Sequence, residues 1–280
     1  MAHNCPEARS TMPTYRPETS EALAAVVHKA TSLRVPLLEE AEGLRFDALV
    51  GGIRHDVADG VVSCLAGTTL TELNAELARD GRWIPHLTVW PTGVDDLASL
   101  VLLGLPHAGE AAWGTWRDWI LGATMITAEG RIVKSGARVV KSVAGYDAHK
   151  LLVGSRGTLL LPAEITLRTF PILRVGFPQG VHISGENPRS IHRVLPTDLP
   201  ACRASLAADV LAIDEATGTL WTSRSVQDLP HFNGAWSMDL AMPSIPEALL
   251  PLHRRAKAVL DPGGKLAPGA FHNLGISPPQ

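Results

Sequence analysis

Cysteine is scarce. Cys5, Cys64 and Cys202 are the only three in 280 residues. They are scattered, odd in number and form no C-x-x-C pair, which argues against a disulfide framework or a cysteine zinc site and fits a reducing compartment. Long apolar runs are missing too: a stretch such as Leu97 to Leu105 is too short to span a bilayer. The opening "MAHNCPEARSTMPTYRP" has no apolar signal-peptide core. The charge shows no basic excess, with a formal net charge of −3 and a pI near 6.4. A general polyanion binder usually carries such an excess. These absences lead us to expect a soluble, cytoplasmic protein with no nucleic-acid partner and no direct membrane insertion. Peripheral attachment to the inner membrane through a partner stays open, as do local basic patches.

The familiar catalytic signatures are also missing. No G-x-G-x-x-G opens a helix after a strand, and there is no Walker loop, H-E-x-x-H or G-x-S-x-G. His28, His149 and His192 lie far apart, in no metal-ligand pattern. They are expected to be core or surface residues, and no metal site is expected.

The segments that are present read as a mixed α and β chain. "RPETSEALAAVVHKA" sets Leu23, Val26, Val27 and Ala30 at helical spacing, with Thr19 or Ser20 at the cap. "LRVPLL" and "FDALVGG" suggest short strands around a turn, and "GVVSCLAG" another strand. Thr69 and Glu72 form the S/T-x-x-E capping box of a helix whose apolar stripe is Leu70, Leu73 and Leu77, with Gly81 at its end. "DDLASLVLLG" predicts a helix capped by Asp95 or Asp96 and closed by Gly104. "DWILGATMITAEGRIVKSG" predicts two strands around Glu129-Gly130. "DAHKLLVG" predicts one short helix. "TLLLPAEITLRTF" predicts a strand pair or a bent strand, with Pro162 at an edge or bulge. "DVLAIDEATGTLWT" is a hairpin around Ala216, Thr217 and Gly218, and a last helix ends at Asp261-Pro262-Gly263. Proline and glycine become dense from Pro178 to Pro200, so a soft boundary is placed near residue 175.

One stretch concentrates charge. Between Arg131 and Arg156 lie Lys134, Arg138, Lys141 and Lys150, with Asp147 the only acid. Glycine turns there could present backbone N–H groups to an anion, and the local positive field suits a diphosphate or a carboxylate. Spacing leaves open whether this is an anion loop or a solvated basic face beside ordinary turns.

"GARVVKSVAGYDAHKLLVGSRGTL" resembles the flavin-domain segment of glycolate oxidase FAD-binding subunits of the E type, within the p-cresol methylhydroxylase and vanillyl-alcohol oxidase class. "YRPETSEALAAVV", "AGTTLTELNAELARDGRWIP", "WGTWRDWILGATMITAEGRIVKSG" and "LDPGGKLAPG" are similar to other segments of that family, in the same order. The resemblance implies an α+β fold: a two-lobed FAD-binding domain, with a small α/β lobe and a larger antiparallel lobe, over residues 1–175. A reduced C-terminal cap over 176–280 follows. It implies non-covalent FAD lined by Gly114, Asp118, Gly145, Tyr146, Asp147, Gly154, Ser155, Gly157 and Thr158. It also implies oxidation of a 2-hydroxy acid of the glycolate kind, alongside a larger flavin subunit and an iron–sulfur subunit. No catalytic base is assigned, although His149 and Tyr146 lie in the segment.

Three segments depart from the family pattern. "RVPLLEEAEGLRF" carries Glu39, Glu40 and Glu42 where a Gly- and Ser-rich diphosphate loop is usual. "VDDLASLVLLG" lacks the paired glycines of a close flavin approach. "GTLLLPAE" sets Pro162, which has no N–H, where the family continues "GTLG". Two readings therefore stand side by side: a flavoprotein oxidoreductase subunit, and a flavin-free structural or assembly subunit that keeps the scaffold. Dense tryptophans at Trp83, Trp90, Trp113, Trp116 and Trp119 would serve the second as an interface or either as core. A third reading gives the basic stretch another nucleotide or an acidic metabolite without redox chemistry.

Overall fold

The structure is a computed structural model that describes residues 13–38, 41–86, 94–136, 146–172, 181–183, 188–223, 236–239, 245 and 247–270. The first helix, α1 (Ser20–Lys29), begins where Thr19 accepts a hydrogen bond from Ala22 N–H. Its stripe Leu23, Ala24 and Val27 is buried. Strands β1 (Arg54–Asp56) and β2 (Val61–Leu65) follow, then α2 (Leu70–Leu77). The Thr69–Glu72 capping box forms in both directions. Strand β3 (Arg82–Trp83) leads to α3 (Leu97–Leu103), which is capped by Asp96. Two short helices, α4 (Glu110–Trp113) and α5 (Trp116–Trp119), precede β4 (Ile120–Ile126) and β5 (Ile132–Gly136). Strands β6 (Leu161–Arg168) and β7 (Phe170–Pro171) complete the first half.

These strands build a five-stranded antiparallel sheet in the order β1-β2-β6-β4-β5, and β3 pairs with β7 separately. Strand β6 is central and almost wholly buried. Pro162 therefore sits on an inner strand and not at an edge. The ladder tolerates it because the register slips between Thr124 and Met125 where β4 passes it.

"LRVPLL" and "FDALVGG" do not form the strands expected of them. Leu33 makes a single bridge to Leu266, and Tyr15 one to Leu44. Pro36 has no N–H to continue a ladder, so the segment is held by isolated bonds such as Leu33 N–H to the Lys265 carbonyl, 2.9 Å. The expected start of a strand at Asp118 also moves. Thr115 and Asp118 form a second capping box and turn 116–119 into α5.

A second antiparallel sheet takes β8 (Val181–Ile183), β9 (Ser190–Arg193), β10 (Val210–Asp214), β11 (Thr219–Thr222) and β12 (Trp236–Asp239), in the order β12-β9-β11-β10-β8. Helix α6 (Leu199–Leu206) packs beside it, burying Leu199, Cys202 and Leu206 with Leu220. The β10–β11 hairpin turns where Asp214 Oδ1 accepts from Ala216 and Thr217 N–H. Ile191, Ala212 and Trp221 join the large core of the first sheet. Helix α7 (Leu250–Leu260) and the segment after it also return to that core, through Leu266.

His192 on β9 is fully buried, with Nε2 3.0 Å from Thr222 Oγ1. Burial pushes its imidazole down from 6.5 to about 4. A depressed histidine favours the fold above its unfolded value, and that contribution is lost as pH falls from 6.5 through 4. The shift is worth about 3 kcal/mol. Urea titrations should therefore show stability falling across this window, with a shallower fall in His192→Gln. An unchanged slope in the variant would assign the acid sensitivity elsewhere.

Candidate functional site

The site begins at the end of α3. All seven residues of this helix are buried. Asp96 Oδ1 accepts from Ser99 N–H at 2.8 Å, and burial pushes the Asp96 carboxyl up. The helix stops at Gly104, whose φ of +62° is left-handed. A Cβ at Gly104 would stand 2.7 Å from Gly154 N and 2.9 Å from Gly154 Cα. Glycine here lets the helix end rest directly on the 154–158 loop.

That loop spends its backbone donors inside the protein. Gly154 N–H donates to the Val101 carbonyl at 3.1 Å, and Arg156 N–H to the Leu102 carbonyl at 2.8 Å. Ser155 N–H donates to Leu152, and Thr158 N–H to Ser155, both through carbonyls. Gly157 N–H reaches Ser155 Oγ at 3.4 Å. Orphan carbonyls of α3 are thus satisfied by the loop.

The other side of the loop is tied to the C-terminal region. Lys257 Nζ donates to the Thr158 carbonyl at 2.7 Å, the Leu266 carbonyl at 2.9 Å and Asp261 Oδ2 at 2.6 Å. Asp261 also accepts from the N–H groups of Lys265 and Leu266. Desolvation pushes the Lys257 ammonium down, and Asp261 pulls against that. Lys265 Nζ extends the clamp to the carbonyls of Val27 and Ala128.

Between these parts opens a cleft of about 540 Å³. Its walls are the 34–38 segment, Leu103 at the end of α3, Arg156, and the 267–270 turn. Arg34 and Arg156 are its two charged residues. Gly157 packs under one wall, since a Cβ there would lie 3.2 Å from Val35 Cγ1. The volume falls in the range usual for cofactor pockets. An uncharged wall with two arginines fits a dinucleotide bearing a diphosphate.

The predicted residues fall into two places. Gly154, Ser155, Gly157 and Thr158 shape the loop that carries Arg156 to the cleft, and Ser155, Gly157 and Thr158 are themselves buried. Tyr146 is 97% exposed, and Asp147 pairs with Lys150 at 3.2 Å. Gly145 lies outside the described residues, as do Arg138, Lys141, Glu39, Glu40 and Trp90. Gly114 and Asp118 sit apart from this cleft, at the head of α5. Asp118 Oδ2 accepts from Thr115 N–H and Oγ1, each at 2.8 Å, and these bonds hold its carboxyl below the usual range. Glu42 lines a different recess, with Thr14, Arg16 and Arg45. His149 is buried, its Nδ1 3.1 Å from Ser135 Oγ, and burial lowers its pKa. Sequence reasoning did not name Arg34 or Leu103 as wall residues, and it counted Arg156 only as one end of the basic stretch.

A packed aromatic block stands beside α5. His86 and His107 have centroids 5.2 Å apart, and each stacks near an indole, Trp116 at 4.9 Å and Trp119 at 4.7 Å respectively. Trp116 and Trp119 are fully buried. Burial pushes both imidazoles down, His86 well below its ordinary value. These tryptophans are therefore core.

Residues 38–136 match a family described as an FAD binding domain. Glycolate oxidase subunit GlcE of Escherichia coli (strain K12) is 26% identical over 248 residues, covering 76% of this chain and 70% of that protein. A D-lactate dehydrogenase of Archaeoglobus fulgidus is 26% identical over 186 residues, covering 60% of this chain and 41% of that protein. Among solved structures, an alkyldihydroxyacetonephosphate synthase aligns with a TM-score of 0.47 at 16% identity, over 69% of this chain and 36% of that one. The chain thus spans less than half of the lactate dehydrogenase and of the synthase. Among the described residues, no helix is long and apolar enough to cross a membrane. FAD is the cofactor that the domain match assigns. The match at residues 38–136 and the similarity to a glycolate oxidase subunit thus identify an FAD binding domain within this chain.

Proposed function

We propose that the chain is the FAD-binding subunit of a flavin-dependent oxidoreductase complex acting on a small 2-hydroxy acid of the glycolate kind. The observation that carries this reading is the cleft between the 34–38 segment, α3, Arg156 and the 267–270 turn. The similarity to a protein named as a subunit of glycolate oxidase supports a multi-subunit setting. A larger flavin subunit and an iron–sulfur subunit are the partners we assign. When bound, FAD supplies the redox chemistry of its isoalloxazine. The chain's residues supply position. Leu103 and Val35 offer apolar walls that exclude water, Arg34 and Arg156 face the anionic part, and the Lys257 clamp keeps the 154–158 loop in place. Gly114 and Asp118, with Gly145 to Asp147, are assigned to a second wall of the same cofactor.

The structural-subunit reading has one observation in its favour: each N–H of residues 154–158 is already paired within the protein. A visible spectrum separates the two. The chain purified alone and with its partner subunits should carry flavin absorbance, bleached by glycolate or D-lactate without oxygen. No flavin in either preparation, and none taken up from added FAD, would leave the structural role. Bound flavin that no 2-hydroxy acid reduces would refute the substrate assignment alone.

A further inference from the structure

Anion sites in glycine-rich loops usually work through consecutive backbone N–H groups. In this chain that route is closed at 154–158. Two donors are taken by the α3 carbonyls of Val101 and Leu102, and three by Leu152 and Ser155 within the segment. A helix C-terminus is also the negative end of its dipole, so the backbone side of the loop faces carbonyl oxygens and not an anion.

The side-chain count runs the other way. Arg156 stands in the left-handed region at φ +52°, one of three described non-glycine residues with positive φ. Its neighbours Gly154 and Gly157 share that region, at +76° and +72°. A bulky residue there costs strain, and such strain persists where the surroundings impose it. Here they do so through the Leu102 bond and the Gly104 contact. The effect is to set Arg156 in the cleft wall with Arg34. Every other lining residue is uncharged. Among the described residues Arg34 makes no ion pair with a carboxylate.

We propose that Arg34 and Arg156 grip the diphosphate of the dinucleotide through their guanidinium groups, replacing backbone-amide recognition at this loop. Guanidinium suits this task because its planar fork binds phosphate oxygens bidentately. The inference rests on the reading of the cleft as the FAD groove, and names the two residues that decide its affinity.

Arg156→Gly is the informative variant. Glycine adopts φ +52° without penalty, so the fold is kept or strengthened while the guanidinium is lost. Full-length wild type, Arg156→Gly, Arg156→Lys and Arg34→Ala would be titrated with FAD, ADP and riboflavin by calorimetry at low and high salt. FAD and ADP should each weaken at least tenfold in Arg156→Gly and in Arg34→Ala, with Arg156→Lys between. The wild-type affinity for both should fall with salt, while riboflavin binding stays unchanged across variants. FAD binding within threefold of wild type in both Arg156→Gly and Arg34→Ala overturns the clamp and leaves the flavin reading intact. If wild type takes no FAD, the flavin reading fails. The ADP titration then judges the clamp separately: ADP binding that is lost in Arg156→Gly sustains it, and no ADP binding by wild type ends it.

Discussion

Lys257→Met should cost the protein about 3–5 kcal/mol. This is the usual result of leaving one partner of a buried ion pair without the other. Asp261 is 1% exposed at its side chain, so its charge has no access to water once the ammonium is gone. Two carbonyls, Thr158 and Leu266, would lose a donor at the same time. For a chain of this size the loss lowers Tm by about 10 °C. The urea midpoint should fall without a change in slope. Lys257→Met with Asp261→Asn should recover part of the loss. Neutralising the stranded carboxylate removes the charge, and an amide oxygen can still accept from Lys265 or Leu266 N–H. Hydrogen exchange at residues 154–158 should quicken in the single variant, because the Thr158 carbonyl is where the clamp holds the loop. A single variant as stable as wild type would show that the pair contributes little.

Gly104→Ala should be nearly as damaging, for a different reason. A left-handed residue with a Cβ costs roughly 1–2 kcal/mol. The new Cβ would also lie 2.7 Å from Gly154 N, a backbone atom that cannot swing away. Separating α3 from the loop would break the Val101–Gly154 and Leu102–Arg156 bonds. A total near 3 kcal/mol is expected. Gly81→Ala is the control. Gly81 is also left-handed, at φ +65°, but nothing lies within 4 Å of its added Cβ. Its loss should equal the conformational part alone. Equal urea midpoints for the two variants would show that the close approach is not a constraint. FAD affinity should drop in Gly104→Ala and hold in Gly81→Ala, because only the first moves Arg156.

Much of the local structure was readable in the residues. The Thr69–Glu72 box, the Asp96 cap, the Gly104 stop and the 129–130 turn rest on chemistry within a few residues of each position. Where a segment depended on distant partners, the pattern misled. "LRVPLL" has the composition of a strand, but it finds one bridge partner in Leu266, far along the chain. Pro162 left an edge and a bulge open, and the pairing with β4 chose the bulge, on the central strand. In "VDDLASLVLLG" the close backbone approach that the structure shows is that of Gly104 to Gly154.

The sequence by itself determined the helix caps, the turns and the loop "VGSRGTL", because these are written in short-range spacing. It also marked that loop as a place for an anion, on its glycines and charges. Only the tertiary structure decided which groups are available to one. Hydrogen bonds between residues some 50 positions apart consume two of the loop amides at the end of α3. The same contacts carry Arg156 into a cleft with Arg34, and Lys257 holds the loop from behind. A donor's availability depends on what lies opposite it in space, and no pattern along the chain records that.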